Sequence, residues 1–269
     1  MNLALTNKNA IVCGSTQGIG KAIAVELALL GANITLVARD KTKLKNVSAE
    51  LDKISKDKIP DGYRGRHNYL VADFTKPDEL KKQVEEFTKN NFVHILINNT
   101  GGPAGGAIIE AKTEEFTQAF SNHLICNHIL VQAVVVGMKK EKYGRIINII
   151  STSVKQPIKG LGVSNTIRAA VASWSKTLAG ELGPFGITVN NILPGATDTE
   201  RLNFLLDARA KKAGISAKEE GQEWLKEIPL GRFADASEIA AAAAFLASPA
   251  ASYINGINLP VDAGRTGSL

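Results

Sequence analysis

Short apolar runs rich in Val and Ile recur along the chain, separated by longer stretches in which apolar positions return every three or four residues. The short runs suit strands buried on both faces, and the longer period suits amphipathic helices. The run 9–14 (NAIVCG) predicts a strand, followed by a helix over about 18–30; the run 33–38 (NITLVA) predicts a second strand and a charged helix to about Ser55. Strands follow at 67–72, 93–99, 144–151 and 187–193, with helices from about Pro77, over 113–139 and over 162–182. Proline suits a helical first turn. A charged helical insert occupies about 199–226, Asp235 and Glu238 stand in capping-box spacing before an alanine-rich helix, and 254–261 holds a last strand. Strand and helix alternate throughout, so the expected fold is a single doubly wound α/β domain over 1–269, a mostly parallel sheet with helices on both faces.

The 269 residues suffice for a sizeable core, and 44% hydrophobic with 22% charged residues is an ordinary globular balance. Two cysteines, Cys13 and Cys126, make no disulfide framework and no metal-ligand spacing; both are expected to be core thiols, and no metal site is expected. The first residues, MNLALTNKNAIVCG, lack the pattern of a signal peptide. The most apolar helical segment, Ile129–Met138, is too short to span a bilayer and carries Gln132, so a cytoplasmic protein without membrane contact is expected. A net charge of +6 raises the question of nucleic acid, but the basic residues are dispersed among acids and accompany no aromatic platform. No nucleic-acid partner is expected; the charge suits an anionic cofactor or an acidic carrier protein.

Chemistry enters at residues 13–27, CGSTQGIGKAIAVEL, where Gly14, Gly18 and Gly20 stand between a strand and a helix. Glycines there allow a sharp turn and bring backbone N–H groups to a pyrophosphate at a helix N-terminus. Further on come Asn98-Asn99-Thr100-Gly101, Pro194-Gly195 with Thr199, Asp262-Ala263-Gly264, and Asp73 in VADF. Together and in this order, over about 7–264, these segments resemble the short-chain dehydrogenase/reductase family, with Thr100 where the family has alanine. The resemblance implies a Rossmann-type dinucleotide site built from Gly14, Ser15, Thr16, Gln17, Gly18, Ile19, Gly20, Arg39, Asp73, Phe74, Asn99, Thr100, Gly101, Arg168, Pro194, Gly195, Thr197 and Thr199. Asp73 matches the acidic residue that approaches the adenine. At the end of the second strand (LVARD), Ala38 fills the place of the carboxylate that selects NAD, and Arg39 follows it; a guanidinium there suits a 2′-phosphate. NADP(H) is the preferred cofactor and NAD(H) the alternative, with Asp40 either near the ribose or capping the next helix.

In this family a serine, a tyrosine, a lysine and an asparagine carry the reaction. Ser151 matches the serine, with Ser153 the alternative if the loop is shifted, and Asn122 matches the asparagine. Thirteen residues past Ser151, where the tyrosine belongs, stands Ser164, and four further on, in the place of the lysine, stands Arg168. A serine hydroxyl is a far weaker acid than a phenol, and it ends several ångströms short of a tyrosine oxygen. Arginine keeps its proton but can still donate to ribose. Lys155 and Lys159 read as solvated loop residues, Tyr143 lies at the opposite end of its strand, and His123 is expected to face away from Asn122, because neighbouring helical residues point about 100° apart. No replacement acid is evident in the sequence.

The glycine-rich segment 101–106 suits either a wall that admits substrate or a bare connection, and the insert at 199–226 resembles the family's substrate lid. The resemblance is to the 3-oxoacyl-[acyl-carrier-protein] reductase branch and implies hydride transfer to a carbonyl, with a 3-oxoacyl thioester or other small molecule as substrate, in a homotetramer. The alternative is a dinucleotide-binding or regulatory protein without turnover.

Overall fold

In the computed structural model, which describes residues 1–58 and 65–268, seven strands form one parallel sheet. They are β1 (Asn9–Cys13), β2 (Asn33–Ala38), β3 (Asn68–Val71), β4 (Ile95–Asn98), β5 (Gly144–Ile149), β6 (Ile187–Pro194) and β7 (Asn258–Val261), in the order β3-β2-β1-β4-β5-β6-β7. The order reverses between β1 and β4, which opens a crevice at the carboxyl ends of those two strands. Helices alternate with the strands: α1 (Gly18–Leu29), α2 (Lys41–Lys58), α3 (Pro77–Asn90), α4 (Thr113–Phe120), α5 (Cys126–Glu141), α6 (Gly162–Leu182), α7 (Glu200–Ala213), α8 (Ala217–Lys226) and α9 (Ala236–Ala247).

The unbroken apolar runs follow from burial on both faces. Val12, Leu36, Ile97 and Ile147 pack against Ile23 and Leu27 of α1 and Ile239 of α9. The residues between them in sequence, Ile11, Val37, Leu96 and Ile146, pack the other way, against Leu80, Val84, Leu130, Val134 and Leu182. Both cysteines are buried thiols as expected, and burial pushes Cys126 up to about 12. Glu238 accepts a bond from the Asp235 N–H at the start of α9, as the capping-box spacing foretells. The insert consists of α7 and α8, joined through Leu202, Leu206 and Trp224, while Phe204 stays exposed.

The expected long helix departs from its pattern in one place. Between α4 and α5 the chain makes a π turn over Ser121–Ile125. The whole run Thr113–Glu141 is long and apolar enough to cross a membrane, unlike the shorter segment read from sequence. Its Cys126, Leu130, Val131, Val134 and Met138 are buried in the core beneath the sheet instead.

One polar seam crosses the interior. Asn98, Asn148, Asn191 and Asn258 are register partners on β4 to β7, and each passes a side-chain bond to the next, with distances of 2.8, 2.9 and 2.8 Å. Asn148 is fully buried and also donates to Ser175 of α6. An unmade bond at a buried polar group costs about 1–3 kcal/mol. Asn148→Leu orphans both Asn98 and Asn191, so urea unfolding of this variant is expected to show a loss of about 2–5 kcal/mol. A loss below about 1 kcal/mol would show that the seam is not a unit.

Candidate active site

The residues around the crevice fall into a cradle and a reacting end. At the cradle, Gly14 and Gly18 take φ of +59° and +53°, a left-handed conformation that glycine adopts without strain. A Cβ on Gly20 would stand 2.1 Å from the Gly14 carbonyl oxygen, and one on Gly14 would stand 2.7 Å from the Asn99 side chain. Asn99 Nδ2 donates to the Cys13 and Gly14 carbonyls at 3.2 and 3.3 Å, tying the end of β4 to the turn. The turn is thus drawn too tight for a side chain at Gly14 or Gly20 and brings its backbone close to the N-terminus of α1, which fits the pyrophosphate of a dinucleotide.

Several cradle residues have structural duties that the motif did not reveal. The Ser15 hydroxyl is buried and accepts from the Val37 N–H at 3.0 Å, so only its backbone is left for the turn. Thr16 and Ile19 are half-buried, Ile19 against the core, and Gln17 is exposed and donates to Glu200 at 2.7 Å. The Thr199 hydroxyl accepts from Leu202 N–H and caps α7, with its methyl group 3.2 Å from the Cβ position of Gly18. Thr197 is buried and bonds the Gly195 carbonyl, while the Gly195 N–H joins β6 to Val261. Pro194 ends β6 and Gly101 is exposed beyond β4.

At the adenine end, Asp73 accepts bonds from the N–H and hydroxyl of Thr75 at 2.9 Å each. These bonds, with the nearby charges of Arg39 and Lys76, hold its carboxyl below the usual range. Phe74 is half-buried behind it, its carbonyl accepting from the Cys126 thiol. Arg39 is exposed at the end of β2. Asp40, open between two roles in the sequence, caps α2: its Oδ1 accepts from Thr42 and Lys43 at 2.9 and 3.0 Å.

At the reacting end, Ser151 follows β5, half-buried, its Oγ accepting from the Ser153 N–H at 3.1 Å. Ser164 and Arg168 lie one turn apart on α6, each 8% exposed. Arg168 Nη1 donates to the Ile149 carbonyl at 3.1 Å, which brings the guanidinium beside the strand end that carries Ser151. The sequence expectation that His123 faces away is overturned. Asn122 is half-buried and its carbonyl oxygen accepts from Gln118 one turn back. His123 is the residue turned inward, 2% exposed, its Nδ1 hydrogen-bonded to the Thr100 hydroxyl. The physical reason is the π turn, in which the regular 100° step no longer holds. Burial, then the charges of Arg168 and Arg201, push His123 down to about 2, so its ring is neutral.

Arg201, on the second residue of α7, was not singled out by any motif. Its Nη2 donates to the Pro103 carbonyl at 2.6 Å, which draws it across the crevice to the glycine-rich loop. That loop is pinned to the start of α6, since the Gly106 N–H donates to the Gly160 carbonyl at 2.8 Å. Beyond it lies a cavity of about 590 Å³ lined by Ile108, Val154, Pro157, Ile158 and the buried Ser153. Lys155 and Lys159 are exposed, and Tyr143 sits at the far end of β5, its hydroxyl on the Ala247 carbonyl.

Comparison with known proteins gives this geometry its context. The family profile described as enoyl-(acyl carrier protein) reductase matches residues 14–266. The chain is 35% identical to 3-oxoacyl-[acyl-carrier-protein] reductase FabG of Haemophilus influenzae over 97% of this chain and 98% of that one. It is 29% identical to the NADPH-dependent reductase BacG of Bacillus subtilis over 98% of this chain and 100% of that one. Among solved structures, L-sorbose reductase from Gluconobacter frateurii, complexed with NADPH and L-sorbose, superposes with a TM-score of 0.90 at 30% identity, over 100% of both chains.

Proposed function

The chain belongs to the short-chain dehydrogenase/reductase family, whose members use NAD(P), and on that footing we propose that it is an NADP(H)-dependent reductase of a carbonyl substrate. The observation that carries this reading is the tight glycine turn, clamped by Asn99, beside a crevice where Arg168 is tied to the end of β5, two residues before Ser151, and its charge acts on His123. The α7–α8 pair is the substrate lid, hinged next to Thr199.

When bound, the dinucleotide supplies the hydride. The protein's part is orientation and a proton. Ser151 donates to the carbonyl oxygen and fixes the face of the carbonyl that meets the hydride. Arg168 stands where the family's lysine would, its Nη1 held by the Ile149 carbonyl and its Nη2 turned toward Gly102. Ser164 is too short to reach a carbonyl oxygen as a tyrosine would, so the proton path runs through the inward-facing His123, oriented by Thr100. Arg39 pairs with the 2′-phosphate, and Asp40, tied down as a helix cap, is not free to select NAD.

The test is titration of the purified protein with NADPH and NADH, followed by NADPH oxidation with a panel of ketones, keto acids and a 3-oxoacyl thioester. The wild-type protein is expected to favour NADPH by about 100-fold, and Arg39→Asp to lose that preference. NADPH binding without oxidation of any carbonyl would favour a dinucleotide sensor instead. Failure to bind either nucleotide would end the reductase reading.

A further inference from the structure

The arginines held in ion pairs among the described residues each face a carboxylate: Arg209 faces Glu220, Arg232 faces Glu238, and Arg265 faces Glu227. Arg168 and Arg201 are different. Neither has a carboxylate within ion-pair distance among the described residues, although Arg168 is 8% exposed. Their only hydrogen-bond partners among the described residues are the carbonyls of Ile149 and Pro103. The two meet over Gly102: the point where a Cβ on that glycine would stand is 3.3 Å from Arg201 Nη2 and 3.7 Å from Arg168 Nη2. Gly102 therefore marks the place where the two guanidiniums approach each other.

The electrostatics agree with this geometry. Burial, and then the charge of Arg201, lowers Arg168 to about 10. Burial alone lowers Arg201. The titratable or charged groups acting on His123 are these same two arginines, and both disfavour its protonation. A buried cation without a carboxylate partner is costly, and a second cation facing it adds to that cost, so the pair favours a negative charge placed between them.

We propose that Arg168 and Arg201 form a carboxylate clamp over Gly102, and that the substrate is a keto acid, its carboxylate held between the two guanidiniums while Ser151 takes its carbonyl. The proposal rests on the reductase reading and narrows its substrate class. The cofactor's pyrophosphate belongs at the Gly14–Gly20 turn, whereas Arg168 is tied to the residue two before Ser151, at the reacting end. The carboxylate offsets the two charges that, after burial, lower His123, so binding of the acid raises the proton affinity of the ring. The reaction balances simply: the carbonyl carbon gains a hydride, NADPH becomes NADP⁺, and the oxygen takes one proton from His123, which is replaced from solvent. The product is a hydroxy acid.

The experiment uses the full chain saturated with NADPH or NADP⁺. Acetoacetate, 2-oxobutanoate and levulinate are compared with their methyl esters in NADPH oxidation, and the corresponding hydroxy acids with their amides in calorimetric binding to the NADP⁺ complex. At least one acid is expected to exceed its neutral partner by about 10- to 100-fold in both readouts. Arg201→Ala is expected to erase that ratio while changing NADPH affinity less than about threefold, and Arg201→Lys to restore part of it. In the NADP⁺ complex, the His123 ring signal should titrate at higher pH with the hydroxy acid bound than without it. Equal treatment of acids and neutral partners overturns the clamp but leaves the reductase reading intact if any carbonyl is reduced. An Arg201→Ala variant that loses NADPH and acid affinity alike also overturns it, assigning the pair to a cofactor phosphate. Absence of NADPH binding by the wild-type protein removes the reductase reading itself.

Discussion

Gly20→Ala is expected to weaken NADPH binding more than 100-fold in a protein that still folds. The added methyl would stand 2.1 Å from the Gly14 carbonyl oxygen and 2.6 Å from Asn99 Nδ2. Both neighbours are held: Gly14 is in the left-handed conformation that lets the chain reverse, and Asn99 bridges two carbonyls of the turn. Relief requires opening the turn, which turns the backbone N–H groups away from the pyrophosphate and breaks the Asn99 bonds. Overpacking of this kind destabilises by about 1–3 kcal/mol, less than the stability of a typical domain. Gly180→Ala is the control. That glycine lies on the exposed face of α6 with open space around its Cβ position, and alanine there is expected to stabilise by about 0.5–1 kcal/mol without touching the nucleotide. Equal NADPH affinity in Gly20→Ala and wild type would remove the glycine turn from the binding site.

The contrast between these two glycines marks what the sequence made legible. Gly20 stood in a motif whose geometry is local, and the runs around it pointed to a strand and a helix because burial on both sheet faces leaves a continuous apolar signature. Ser151, Ser164 and Arg168 were named from the spacing the family resemblance implies, and the structure sets Ser151 just past β5 and the other two one turn apart on α6. Three features were not legible. The inward turn of His123 depends on a π turn, which composition does not announce; the one available signal was the unusual Thr100, whose hydroxyl turned out to be its partner. Arg201 joins the site across the lid, far in sequence from Arg168, and only tertiary packing brings the two to Gly102. The asparagine seam was hidden because its members lie on four different strands, and strand order and register alone set them side by side.

His123→Gln separates a reacting histidine from one that merely fills space. Glutamine can keep a bond to Thr100 but never carries a proton charge. Loss of general acid catalysis lowers turnover by about 10²–10⁴, so kcat of the variant is expected to fall by at least 100-fold with NADPH affinity retained. Stability supplies the second readout. His123 is held near 2 in the folded chain against an ordinary value near 6.5. Between those values the unfolded chain binds a proton that the folded chain refuses. The stability of the folded state is therefore full above about pH 6.5 and falls with acid, by about 1.4 kcal/mol per pH unit from this group. His94 and His67 are lowered too, chiefly by burial, and remain in both proteins, so they cancel in the comparison. Urea unfolding from pH 7.5 to 5 should thus show a shallower loss in His123→Gln, with the gap between the two proteins shifting by about 2 kcal/mol in favour of the variant by pH 5. Parallel stability curves with a large drop in kcat would mean that His123 already carries its proton in the folded protein. Parallel curves with unchanged kcat would place the proton path elsewhere in the crevice, and the tie between Thr100 and His123 would then be one of packing alone.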